Sequence, residues 1–148
     1  MPLHRRSLLA AFSALPLISV FASPALAARP ARLVKSPEEW RTLLQADAYA
    51  VLFEEATERP FTSPLNDEKR SGTYVCAACR LPLFASKDKY DSGTGWPSFT
   101  RALPNSMGTR RDFKLIWPRT EYHCARCGGH QGHVFDDGPR PLGKRWCN

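Results

Sequence analysis

The sequence predicts a mainly β protein: two antiparallel sheets around a small core, a short helical N-terminal segment, and four cysteines stapling the halves together. Three observations predict it. From Gly72 onward, short aromatic and aliphatic runs alternate with Gly, Pro, Asp and Ser clusters, which is the signature of short antiparallel strands and not of βαβ units. Four of the five cysteines fall in two C-x-x-C pairs, a spacing that favours metal over distant bridges. A single stretch near residue 36 carries the signals of a helix start.

That helix is predicted from Ser36-Pro37-Glu38-Glu39. Ser36 is a side-chain cap, Pro37 takes the first helical position, and Glu39 lies three residues after the cap. Trp40, Leu43 and Leu44 follow at helical spacing, and the segment fades near Asp47. Residues 48–56 read equally as a second short helix or an irregular turn. The strand runs are Thr73–Val75, Leu83–Phe84, Phe113–Trp117, Glu121–His123 and His133–Phe135.

Residues 1–27 have the layout of a signal peptide. His4, Arg5 and Arg6 precede an apolar stretch from Ser7 to Ala22, and Ala25-Leu26-Ala27 offers a small-residue cleavage site. Arg5-Arg6 ahead of Ser7-Leu8-Leu9 also resembles a twin-arginine export signal. A membrane anchor fits less well, because Pro16 interrupts a run shorter than the roughly 20 residues a span requires. The expectation is therefore an exported protein of the bacterial periplasm, without stable membrane insertion after cleavage. Residues 28–35 would be a linker and 36–148 one domain. Loss of Arg5 and Arg6 takes the formal net charge from +7 to +5. With no run or stripe of basic residues, nucleic acid is not an expected partner.

Cys76-Ala77-Ala78-Cys79 and Cys124-Ala125-Arg126-Cys127 place two sulfurs each on one side of a tight turn. Two such turns supply four thiolates to a tetrahedral Zn²⁺ with no open position, a structural and not a catalytic arrangement. The 44 residues between Cys79 and Cys124 exceed the spacing of a zinc ribbon, so the metal would join distant hairpins. Two local redox dithiols, or long-range disulfides, are the other readings. Against the first, Pro82 soon after Cys79 discourages the helix that follows a thioredoxin-like dithiol.

Cys147 is then left over, as a free nucleophile or half of an intermolecular bridge. Arg145, two residues earlier in an extended strand, points the same way and would favour the thiolate. His130 and His133 add imidazoles suited to proton transfer, unless they are exposed loop residues or further metal ligands. Asp136-Asp137-Gly138-Pro139 is a turn that places an acid nearby or is simply capped by one. Asp91 to Phe99 holds two glycines and Pro97 around Trp96: a loop presenting an aromatic face, or a buried tryptophan in a tight turn.

Gly72 to Cys79, Asp91 to Phe99, Cys124 to Pro139 and Arg145-Trp146-Cys147 together resemble the methionine sulfoxide reductase type B family, the peptide-methionine (R)-S-oxide reductases. The resemblance runs in the same order from about Ser36 to Asn148. It implies a monomeric enzyme that reduces the R epimer of methionine sulfoxide in oxidised proteins. Cys147 would attack the sulfoxide sulfur and become a sulfenic acid. His130 and His133, with Asp137 through water, would position and protonate the departing oxygen. Arg145 would support the thiolate, Trp96 would cradle the substrate methyl, and Cys76, Cys79, Cys124 and Cys127 would hold the zinc. Many members carry a recycling cysteine where this chain has Thr94, so a thioredoxin-like protein or small thiol is the expected reductant. The family also continues past its nucleophile with a further strand, and the 36–148 domain is expected to lack it. The competing functions are a zinc-binding interaction module without activity and a disulfide oxidoreductase.

Overall fold

The computed structural model describes residues 28–114 and 117–148; the signal-peptide reading of 1–27 lies outside them. Helix α1 (Pro37–Leu43) begins where the cap predicts. Glu39 N–H donates to Ser36 Oγ at 3.2 Å, and Ser36 N–H returns a bond to Glu39 Oε2 at 2.7 Å. Helix α2 (Ala46–Glu54) starts two residues earlier than the 48–56 reading and stops when Glu55 turns left-handed. Trp40 of α1 stacks on Phe53 of α2 with ring centroids 5.1 Å apart. Neither helix could hold that geometry alone, being too short for isolated stability. Among the described residues no helix is long and apolar enough to cross a membrane.

Among the described residues eight strands form two antiparallel sheets. Strands β1 (Thr73–Val75) and β2 (Pro82–Ala85) make a hairpin. The others are β3 (Lys89–Tyr90), β4 (Ser98–Phe99), β5 (Met107–Asp112), β6 (Arg119–Cys124), β7 (His130–Phe135) and β8 (Arg145–Cys147), ordered β3-β4-β8-β7-β6-β5. The hairpin drives Phe84 into the larger sheet, where it stacks on Phe99 at 4.2 Å and meets Tyr122 and Trp146 edge-on. That aromatic cluster is the core; Phe84, Phe99 and Tyr122 are all at most 1% exposed.

One strand expectation is corrected. Phe113–Trp117 is not a strand at its described positions: β5 ends at Asp112, Phe113 and Trp117 are exposed, and residues 115–116 are not described. The true strand is the charged run Met107-Gly108-Thr109-Arg110-Arg111-Asp112. It lies at a sheet edge, where charge is favoured because it discourages pairing with other chains.

Register sorts the side chains of the larger sheet. Tyr90, Ser98, Cys147, His133, Glu121 and Arg110 are successive cross-strand partners. Directly paired residues share a face, so these six form one row. The row one residue over, including Phe99, Trp146 and Val134, turns to the core. The polar face is roofed by α2 and the chain after it; Leu52 of α2 lies over Gly129 at the start of β7.

The close pairing of β7 and β8 depends on Gly132. At φ +148° it passes the Cys147 carbonyl so closely that a Cβ would stand 1.9 Å from that oxygen. Gly132→Ala is expected to cost about 3 kcal/mol by overpacking, read as a lower denaturation midpoint with an unchanged slope.

Candidate active site

The four paired cysteines meet as one cluster. Each pair bounds a turn closed the same way: Arg80 N–H donates to Cys76 O at 2.9 Å, and Gly128 N–H to Cys124 O at 2.9 Å. Both turns end in a left-handed residue, Arg80 or Gly128. Cys76 and Cys127 sulfurs approach to 3.6 Å, Cys79 and Cys124 to 3.5 Å, and all four lie within 4.8 Å of one another. A tetrahedral ion with sulfur bonds of about 2.3 Å spreads its ligands about 3.8 Å apart, so the cluster is positioned to hold one metal ion. Charge is shared unequally among thiols this close. Cys124 is held far below the ordinary thiol range by the Cys127 and Cys76 hydrogen bonds. The Cys124 contact pushes Cys76 up to about 12 and Cys127 higher still. Four thiolates together require a cation among them. All five cysteines are free in this structure.

Cys147 lies elsewhere, half-buried in a cavity of about 350 Å³ on the polar face of the larger sheet. Trp96, His130, His133 and Arg145 line the same cavity, as does Thr94. The predicted tryptophan loop thus does face the thiol, with its indole N–H fixed to Glu58 O at 2.9 Å. Ser98, beside Cys147 in the row, is fully buried and shares hydrogen bonds with Ser92 (2.7 Å) and the Trp96 carbonyl (3.1 Å). On the far side Tyr122, wholly buried, donates to Cys147 O at 3.1 Å. The strand carrying the thiol is therefore gripped from both faces.

The carboxylates that touch the imidazoles were not singled out in the sequence. His133 Nε2 lies 2.7 Å from Asp112 Oδ2, which also accepts from Arg119 Nη2 at 2.6 Å. The Lys114 backbone N–H, then His133 and Arg119, hold the Asp112 carboxyl well below the usual carboxylate range. An ionised carboxylate only accepts, so Nε2 carries the hydrogen and Nδ1 is the free lone pair. Burial pushes His133 below its ordinary 6.5, partly offset by Asp112, and the ring is neutral near pH 7. His133 is the direct cross-strand partner of Cys147, which places their Cβ atoms about 5 Å apart. His130 binds Glu121 Oε1 through Nδ1 at 2.8 Å, and Glu121, 2% exposed, is also met by Arg110.

Asp137 stands apart from the histidines. It lies in the exposed turn between β7 and β8, outside the cavity lining, and grips Arg145 with two bonds of 2.8 Å. Each keeps the other charged, Asp137 lowered and Arg145 raised from their ordinary values. The guanidinium also sits 4.3 Å over the Phe135 ring. Gln131, between the histidines, reaches the other way, its amide 3.6 Å from Cys76 sulfur.

His133 and Asp112 make stability acid-sensitive. The unfolded imidazole takes a proton near its ordinary 6.5 and the folded one only lower, so below that pH the unfolded chain binds more protons and stability falls. Asp112, depressed in the fold, adds to the loss as pH drops further. The melting temperature of His133→Gln should therefore fall less than that of the parent between about pH 7 and 5. An NMR titration of Asp112→Asn should show the His133 midpoint moved down, since the partner that raises it is gone.

A free thiol opposite a carboxylate-held imidazole, in a cavity walled by an indole and lined by none of the four clustered cysteines, is the constellation of a thiol oxidoreductase. The SelR domain model matches residues 44–148. The chain belongs to that family, the methionine sulfoxide reductases of type B that its motifs resemble. A peptide methionine sulfoxide reductase MsrB of Bradyrhizobium diazoefficiens is 51% identical over 117 residues, covering 78% of this chain and 84% of that protein. One of Pseudomonas putida is 50% identical, covering 78% and 88%. One of Methanosarcina barkeri is 47% identical over 114 residues, covering 76% and 80%.

Proposed function

We propose that this chain reduces the R epimer of methionine sulfoxide in oxidised proteins, with Cys147 as nucleophile and an external thiol as reductant. The observation that carries the reading is Cys147 and His133 paired across two strands beneath Trp96, within a SelR domain. His133 Nδ1 takes the thiol proton and Asp112 keeps the ring in that tautomer. The Cys147 thiolate attacks the substrate sulfur, and the proton passes to the sulfoxide oxygen. That oxygen ends on Cys147 as a sulfenic acid while methionine leaves. The substrate sulfur gains two electrons and the Cys147 sulfur loses two. A first external thiol condenses with the sulfenic acid, releasing water; a second resolves the mixed disulfide. A thioredoxin-like protein or a small thiol fills both roles.

Soft thiolate ligands in a tetrahedral set select Zn²⁺, and with every position filled by Cys76, Cys79, Cys124 and Cys127 the ion supplies folding energy alone. Removal of residues 1–27 on export would deliver the enzyme as a periplasmic monomer. Turnover assays on peptides carrying R- or S-methionine sulfoxide test the activity. Reduction of the R peptide alone is expected; activity on S only would overturn the stereochemical assignment, and activity on neither with zinc bound leaves the interaction-module reading. His133→Ala should lower kcat about 10²-fold with zinc content intact. A parallel loss of zinc would mean that staple and active site are not separate.

A further inference from the structure

Phe61 departs twice from what a large aromatic residue does. The residue is 73% exposed, and its backbone stands at φ +64°, a left-handed conformation disfavoured for a bulky residue. Neighbours impose that conformation. Phe61 N–H donates to Gly95 O at 2.7 Å, and a Cβ on Gly95 would meet Phe61 N and Pro60 Cβ at 2.8 Å. Gly95 precedes Trp96, whose indole is tied to Glu58. The exposed ring is thus clamped beside the wall of the reactive cavity. Leu65, four residues on, is 41% exposed and lines that cavity. A second hollow of about 410 Å³ shares Phe61, Trp96 and Pro97 with this region and runs on towards Lys89 and Tyr90. Strain retained to hold an apolar ring in water points to a binding role.

We infer that Phe61 and Leu65 seat the residues flanking the methionine sulfoxide in an unfolded polypeptide, giving the enzyme a preference for aliphatic or aromatic neighbours. The inference rests on the proposed activity and extends it to sequence context. The seat is continuous with the reactive cavity: Phe61 touches Gly95, one residue from the indole. An extended chain advances about 3.3–3.6 Å per residue, so a side chain one to three positions from the oxidised methionine reaches the ring. Charge gives no competing code. Around the second hollow Asp67, Glu68 and Asp91 balance Lys69, Arg70 and Lys89, and Arg70 pairs with Glu68 while Lys89 is bound to the Asn66 and Glu68 carbonyls.

The test compares R-methionine sulfoxide pentapeptides whose flanking positions are all leucine or all serine. The native enzyme should favour leucine by about 10-fold in kcat/KM, expressed in KM, the factor for partly burying one aliphatic side chain on one ring. Phe61→Gly, which suits a positive φ, should bring the ratio near one, and Phe61→Tyr should keep it. Binding of the same peptides to Cys147→Ser by calorimetry reads the preference without turnover, so a failure of the activity reading would not be mistaken for a failure of this one. A ratio near one in the native protein overturns the inference. So does a ratio that survives Phe61→Gly, or an equal loss on both peptides.

Discussion

Cys147→Ser is expected to abolish sulfoxide reduction, lowering kcat by at least about 10³-fold, with metal content and melting temperature unchanged. Serine fills the same space on β8, and the bond from Tyr122 goes to the backbone carbonyl at 147, which the change keeps. What disappears is a sulfur able to carry the oxygen. In the native protein, one turnover without reductant should release one methionine and leave Cys147 as sulfenic acid, because no other cysteine lines the cavity and Thr94 offers only a hydroxyl. Trapping with a sulfenic-acid reagent and peptide mass analysis reads this directly. A disulfide from Cys147 to Cys76, Cys79, Cys124 or Cys127 as the main product would make the metal cluster the redox partner and end the one-cysteine mechanism.

The largest expected effect on stability comes from Cys76→Ser or Cys127→Ser. Each removes one of four sulfurs from a cluster that joins the β1–β2 hairpin to the turn between β6 and β7. Zinc should fall from about one per chain to near zero, and the melting temperature by more than about 10 °C, because metal binding and folding are linked. Chelation of the native protein should do the same, reversibly on zinc return under reducing conditions. A variant without zinc that melts unchanged would remove the structural role.

What could be read in advance divides by distance along the chain. The Ser36 cap, the two cysteine turns and the strands at Thr73–Val75 and His133–Phe135 are local patterns, and they stand where the residues place them. Asp112 and Glu121 could not be found that way. They act only because β5, β6 and β7 pair in one register, and nothing near either residue states that register. Asp137, whose expected role through water comes from the resemblance, is bound in its turn to Arg145. The strand expected at Phe113–Trp117 followed apolar content, whereas the edge strand is built from Thr109, Arg110 and Arg111. Apolarity marks strands that are buried, and edges are not.

The cross-sheet row sets how this chain can change length. Cys147, His133, Glu121 and Ser98 come from four different strands and share a face only through pairing. Adding or deleting one residue inside β4, β6, β7 or β8 rotates everything beyond it to the opposite face, burying a reacting group among Phe84, Phe99 and Trp146. Gains and losses are therefore confined to the connections between strands, such as those after Asp112, where Phe113 and Lys114 are exposed, and after Phe135. Viable length variants of this chain should differ at those turns and agree residue for residue in the strands.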